Sequence, residues 1–167
     1  MDPGQELVDV VDEEDRVVAT VTRREVRARG LLHRCTYVLL RNAAGQFLVH
    51  RRTDTKDVHP GAHDVFAGGV CAAGESYDEC ARREVEEELG VGGVDLRFLF
   101  RHRYRGPGGQ AWGAVYEGRW EGAVHPQASE VAWAGWVGLA ELERMLAGRD
   151  FCPDSREIFA RWRDQEP

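Results

Sequence analysis

Glu84, Glu87 and Glu88 lie close enough in sequence to act as one group if the segment around them is helical. Advancing about 100° per residue from Tyr77 places Ala81, Val85 and Leu89 at about 40°, 80° and 120°, an apolar stripe that must face a core. On the same wheel the three glutamates fall at about 340°, 280° and 20°, so they border or overlap that stripe. Glu79, Arg82, Arg83 and Glu86 fall on the face expected to meet water. Carboxylates at the margin of an apolar face lose hydration unless a cation or a donor replaces the water. A bound cation would do so, and an all-oxygen donor set suits Mg²⁺ or Mn²⁺ shared with waters and phosphates. The alternative is a solvated acidic helix laced by i,i+4 ion pairs. The repulsions of Glu84 with Glu87 and Glu88 cost only about 0.2 to 0.5 kcal/mol each, so desolvation is the stronger argument for a cation.

The elements that must position these acids can be read outward from them. Ser76 to Leu89 has the helical pattern, and Gly90 stands where a C-terminal cap belongs. Before it, Val8–Val11 and Val17–Thr22 flank the turn-rich Asp12-Glu13-Glu14-Asp15 and predict an opening hairpin. Arg23 to Gly30 reads as a link. Cys35–Arg41 and Gln46–Arg51 around Asn42-Ala43-Ala44-Gly45 predict a second hairpin. A loop with Pro60-Gly61 and the short run Asp64–Ala67 lead to the glycine pair Gly68-Gly69. Strands are expected at Leu96–Tyr104, Ala111–Trp120 and Glu130–Val137, and closing helices at Leu139–Leu146 and Ser155–Arg163. Strands on either side of one central helix point to a mixed sheet with helices on its faces.

With 167 residues, the chain has the size of one domain. No apolar run reaches the length of a membrane span, and the opening residues resemble neither a secretory signal nor a transit peptide, so a cytoplasmic location is expected. Cys35, Cys71, Cys80 and Cys152 form no C-x-x-C pair and read as reduced thiols. A net charge of −7 and a pI near 5.4 speak against stable nucleic-acid binding. Arg101, His102, Arg103 and Arg105 form a local basic run, either a solvated strand face or a phosphate-facing wall.

As a string, Gly68 to Val91 is GGVCAAGESYDECARREVEEELGV. Its second glycine, Gly69, is followed after five residues by Glu75, after seven more by Arg83-Glu84, and then by Val85, Glu87, Glu88, Gly90 and Val91. This resembles the Nudix box, G-x5-E-x7-R-E-U-x-E-E-x-G-U with U a bulky aliphatic, at every fixed position. The resemblance implies a loop–helix–loop in which Glu84, Glu87 and Glu88 hold Mg²⁺ or Mn²⁺ and the loop backbone at Gly68 or Gly69 adds a carbonyl ligand. It also implies that Glu75 sits at the helix entrance and that Arg83 orients the acids. The fold it implies is an α/β/α sandwich with a mixed central sheet, here with an added N-terminal β-hairpin. Residues 1–167 then form a single domain: 1–30 the hairpin extension, 31–150 the core, 151–167 the C-terminal helix.

Beyond the box, CTYVLLRNAAGQFLVHRR, the Pro60-Gly61 loop and VVDEEDRVVATVTRREV resemble the Nudix branch that contains isopentenyl diphosphate isomerase. Arg52 and Lys56 stand where basic residues of the isomerase grip a diphosphate. Its cysteine, glycine and histidine before the acidic loop are replaced by Gly68, Gly69 and Val70, and Cys71 lies one residue past the histidine place. Hydrolysis is therefore expected over isomerisation. Some Nudix enzymes use an acid near the position of Glu130 as metal ligand or general base, with Glu117 a weaker candidate. Trp112, Tyr116 and Trp120 read as strand packing or as stacking platforms for a base, and His59 and His63 as loop histidines near the mouth.

The expected activity is metal-dependent hydrolysis of a nucleoside diphosphate linked to another moiety, or of a similar small phosphorylated compound. Arg52 and Lys56 would neutralise its phosphates. An isomerase-like enzyme or a non-catalytic nucleotide sensor is the alternative, and the opening hairpin offers an edge at which a homodimer could pair.

Overall fold

The computed structural model describes residues 2–166. Its elements are a 3-10 turn at Pro3–Gln5, then β1 (Leu7–Val11), β2 (Val17–Thr22), α1 (Arg23–Arg29), β3 (His33–Arg41) and β4 (Phe47–Arg52). They continue with β5 (His63–Asp64), β6 (Phe66–Ala67), α2 (Tyr77–Leu89), β7 (Leu96–Gly106) and β8 (Gly109–Arg119). Last come β9 (Val131–Val137), α3 (Leu139–Gly148) and α4 (Pro153–Gln165). None of the described helices is long and apolar enough to cross a membrane.

β3 is the spine of a mixed sheet. Along one edge it pairs parallel with β8 from His33↔Ala111 to Arg41↔Arg119, and β7 extends that side antiparallel to β8. Its other edge is shared in turn by β1 at His33, Val70 at Cys35, β6 at Val38 and Leu39, and β4 at Arg41. The expected hairpin of β3 and β4 is thus real only at its tip, Arg41↔Phe47; beyond it the strands part. β4 pairs instead with β9 over its length and with β5. The separation admits β6 and the glycine-rich loop beside β3, which brings the residues before α2 into the middle of the fold.

Strand alternation sorts the buried residues into two cores. Tyr37 and Leu39 point with Phe47, Val49 and Val115 to the face covered by Leu142 and Met145 of α3 and by Ile158, Phe159 and Trp162 of α4. Val38 and Leu40 point with Leu48, Ala114 and Tyr116 to the other face, where α2 lays Ala81, Val85 and Leu89. A strand buried on both faces needs a continuous apolar run, and Tyr37-Val38-Leu39-Leu40 is one. The layers are the expected α/β/α arrangement, with the N-terminal hairpin joined to the sheet through β1.

The link Arg23–Gly30 is a helix, not irregular chain. Thr22 caps it by accepting from Glu25 N, and Gly30 ends it at φ 61°, a left-handed conformation that suits glycine. Only Val26 is buried along it, so no apolar periodicity announces it.

Candidate active site

α2 starts in a full capping box. The Ser76 hydroxyl accepts from Glu79 N at 3.2 Å, and the Glu79 carboxylate accepts from Ser76 N at 2.9 Å. At the other end Gly90 closes the helix at φ 64°. Between these ends Ala81, Val85 and Leu89 are at most 1% exposed, which fixes the rotation of the helix and hence the direction of its acids. Glu88 is buried at 8% exposure, Glu84 is nearly so and Glu87 is half exposed.

The loop before α2 is held against β3 as a strand would be. Thr36 N donates to the Gly69 carbonyl at 2.9 Å, and Cys71 N donates to the Arg34 carbonyl at 3.0 Å. Gly68 has φ 155°, and a Cβ there would lie 1.9 Å from the Thr36 carbonyl oxygen, so only glycine fits. At Gly69 a Cβ would come within 2.7 Å of the Glu84 carboxylate. The pair therefore lets the loop backbone touch β3 on one side and Glu84 on the other. Gly68 N also donates weakly to Glu88, at 3.4 Å. Farther along, Ala73 N donates to the Leu7 carbonyl and Gly74 N to Asp9, each at 2.8 Å, so β1 pins the rest of the loop.

Arg83 departs from the water-facing position expected of it. Its side chain lies on the flank beside Glu87 and is long enough to reach the loop, where it forms a two-point fork with Glu75 at 2.7 and 2.9 Å. It also donates to Glu84 at 2.9 Å and to Glu87 at 3.2 Å. Burial pushes Glu75 up, but the Arg83 fork and the Ala72 amide hold its carboxyl below the usual range. Glu84 is raised by burial despite Arg83. Glu88 is pushed up to about 8 by burial first and by Glu84 second, with Lys56 and Arg52 pulling the other way.

These groups line one cleft of about 1400 Å³, which also receives Gly68, Arg52, Lys56, His59 and Glu130. Lys56 is ion-paired with Glu130. Arg52 donates through Nε and Nη2 to the Val58 carbonyl at 3.1 and 2.9 Å, which fixes its guanidinium. As placed, no three ligating side chains among the described residues enclose a metal ion. The donor set nonetheless fits a divalent cation. Glu88 is buried and Glu84 nearly so, their charges act on each other, and among the described residues they receive only Gly68 N and Arg83, while Glu87 is exposed enough to turn inward from Arg83.

Several other candidates lie elsewhere. Glu117 is paired with Arg41 at 3.2 Å and Arg97 at 2.7 Å on the far part of β8. Tyr116 and Trp120 belong to the core under α2, Tyr116 donating to Asp78, while Trp112 lies beneath Arg101. His63 stacks on Phe151. The arginines of the basic run face the acidic turn of the opening hairpin, Arg101 binding Asp15 at 2.6 Å and Arg103 binding Glu13 at 2.9 Å, while His102 points to the other side and meets Glu157 of α4 at 2.9 Å. The arginines are a wall for the hairpin, not for phosphate. Conversely, the cleft contains two acids that the sequence did not single out, Asp64 and Asp154. Asp64 accepts from Ser155 Oγ at 2.5 Å and Asp154 from Tyr37 Oη at 2.9 Å. Burial raises both. In sequence, one looks like part of a short apolar strand and the other like an ordinary first-turn acid of α4.

The chain matches the NUDIX domain family over residues 31–161. It is 50% identical over 165 residues to an uncharacterized Nudix hydrolase of Streptomyces coelicolor, covering 98% of this chain and 91% of the other. It is 39% identical over 157 residues to the uncharacterized Nudix hydrolase YfcD of Escherichia coli, covering 94% and 86%. The crystal structure of DR0079 from Deinococcus radiodurans superposes with a TM-score of 0.81 at 30% identity, covering 93% of this chain and 98% of that one. Sequence box, fold and relatives agree: the chain belongs to the Nudix hydrolases, divalent-metal-dependent enzymes that cleave diphosphate linkages.

Proposed function

We propose that the chain hydrolyses the diphosphate linkage of a nucleoside diphosphate joined to a second moiety, or of a similar small phosphorylated compound, with Glu84, Glu87 and Glu88 as ligands of Mg²⁺ or Mn²⁺. One observation carries this reading: the buried carboxylates Glu84 and Glu88 share a cleft with Arg52 and Lys56. Such a site favours a cation beside the acids and an anion beside the bases, the charge pattern of a metal-bound diphosphate. When bound, the cation supplies Lewis-acid polarisation of the phosphoryl oxygens.

The protein groups around it have separable tasks. Arg83 orients Glu84 and Glu87 by its hydrogen bonds. Because the Gly69 carbonyl already accepts from Thr36 N, the Gly68 carbonyl is the backbone candidate for a further ligand. Arg52 is held by Val58 and needs little ordering to receive a phosphate oxygen. Phosphate arriving at Lys56 would compete with Glu130 for that ammonium, freeing the carboxylate to take a proton from the attacking water. A cysteine nucleophile has no support: Cys35 lines the cleft, but burial pushes its thiol well above the range in which it ionises.

The test is a panel of nucleotide sugars, dinucleoside polyphosphates, nucleotides and isoprenoid diphosphates, scored for phosphate or diphosphate release. Turnover is expected to vanish in excess chelator and to return with Mg²⁺ or Mn²⁺, with Ca²⁺ and Zn²⁺ poor replacements. Full turnover in chelator would remove the reading.

A further inference from the structure

Arg23 and Arg27 of α1 also line the cleft, and neither has a part in the hydrolysis itself. Four residues apart, they lie on one side of their helix. Both are thinly compensated. Arg23 meets Glu6 through Nη1 at 3.3 Å, while its buried Nε has no hydrogen-bond partner among the described residues. Arg27 pairs with Asp57, a largely exposed carboxylate of the loop after β4. Arg52 binds the Val58 carbonyl and forms no ion pair among the described residues.

Arg27 stands close enough to both Arg23 and Arg52 for their charges to act on it. Burial first, and then the charges of Arg23 and Arg52, hold Arg27 below its ordinary pKa. Arg23 acts on Glu84 and Arg52 on Glu88, so the arginines lie beside the acidic helix. Guanidinium groups crowded in one cleft are stabilised by a multivalent anion, and their planar forks match phosphate oxygens. A diphosphate over the α2 glutamates would engage Arg52 and Lys56. The α1 arginines come from a separate element and remain for a phosphate that the reaction does not touch.

We propose that Arg23 and Arg27, with Arg52 on the other side of Arg27, form an additional phosphate subsite, so that the preferred substrate carries a third phosphoryl group besides the two flanking the scissile bond. This deepens the hydrolase reading and rests on it for the placement of the first two phosphates. The third can lie in line with them or on another part of the molecule, such as a ribose hydroxyl.

Calorimetric titration of the full chain in Ca²⁺, which places the phosphates with little turnover, separates these cases. ADP against ATP tests an in-line third phosphate, and ADP against adenosine 3′-phosphate 5′-diphosphate tests one on the sugar. In at least one pair the additional phosphate is expected to tighten binding about tenfold or more. Arg23→Gln and Arg27→Gln should each shrink that gain to about twofold or less, and Arg27→Gln decides alone if loss of the Glu6 partner unfolds the first variant. Arg29→Gln is the control for net charge, because Arg29 pairs with Glu25 and does not line the cleft; its gain should stay intact. No gain in either pair, a gain that survives both substitutions, or an equal loss in Arg29→Gln would overturn the proposal. Failure of the hydrolase reading would register separately, as no anhydride cleavage by the unaltered chain in Mg²⁺.

Discussion

The Tyr77 hydroxyl donates to Asp15 Oδ2 at 2.9 Å, so the first residue of the acidic helix is tied to the turn of the N-terminal hairpin. Asp15 is the better buried partner, its side chain 2% exposed, and it also receives Arg34 Nε at 2.8 Å and Arg101 Nη1 at 2.6 Å. Its φ of 62° is a left-handed conformation that asparagine tolerates as well as aspartate does. Asp15→Asn therefore keeps the turn and removes only the charge. It leaves two guanidinium groups with one neutral acceptor and should cost about 2 to 4 kcal/mol in urea unfolding. Unchanged stability would show that the hairpin turn is not an anchor.

The two loop glycines should fail in different ways. Gly68→Ala drives a methyl group into backbone, the Thr36 carbonyl, and no side-chain motion can relieve it. A loss of about 3 kcal/mol or more is expected, or no folded protein. Gly69→Ala meets the carboxylate of Glu84, the end of a flexible side chain. That variant should unfold within about 1 kcal/mol of the parent while losing at least about tenfold in turnover, because Glu84 must move away from the loop. Equal effects of the two substitutions on stability would contradict the packing described here.

The acidic helix and the strands were legible because both leave periodic traces: Ala81, Val85 and Leu89 recur every four residues, and Tyr37 to Leu40 form the unbroken run of a doubly covered strand. α1 was not, since seven residues with only Val26 buried give no period to read. Its arginines therefore looked like a charged linker. The parting of β3 and β4 was equally hidden, because a hairpin tip with Asn42 and Gly45 predicts the turn but says nothing of the partners that each strand takes farther along. The placement of Asp64, Asp154 and the Lys56–Glu130 pair depends on contacts between distant segments, which no local pattern encodes.

Glu88→Gln separates the metal-site reading from a purely structural role. The carboxyl is buried and disfavoured in its ionised form, so an uncharged isostere should leave the metal-free unfolding midpoint unchanged or raise it. Turnover should fall at least about 100-fold. Glu87→Gln should lose similar activity with little change in stability, since Glu87 is half exposed and, among the described residues, is held by Arg83 alone. Normal activity in either variant would remove that residue from the metal site. A stability loss that matched the activity loss would make the acids structural.

A second buried group makes the fold weaker in acid. His50 of β4 is 3% exposed, and its pKa is lowered to about 3, chiefly by burial and then by the charges of Arg52 and Lys56. In the unfolded chain a histidine takes up its proton near pH 6.5. Between pH 6.5 and 3 the unfolded state therefore binds one more proton than the folded state, and stability falls as the pH is lowered through that window. By pH 5 the contribution of this one residue amounts to about 2 kcal/mol. His50→Gln cannot be charged and should flatten the slope, so that the parent's stability falls more than the variant's when urea unfolding is compared at pH 7.5 and 5. Parallel losses in the two proteins would mean that His50 accepts its proton in the folded state without penalty, and the buried, neutral imidazole would have to be abandoned.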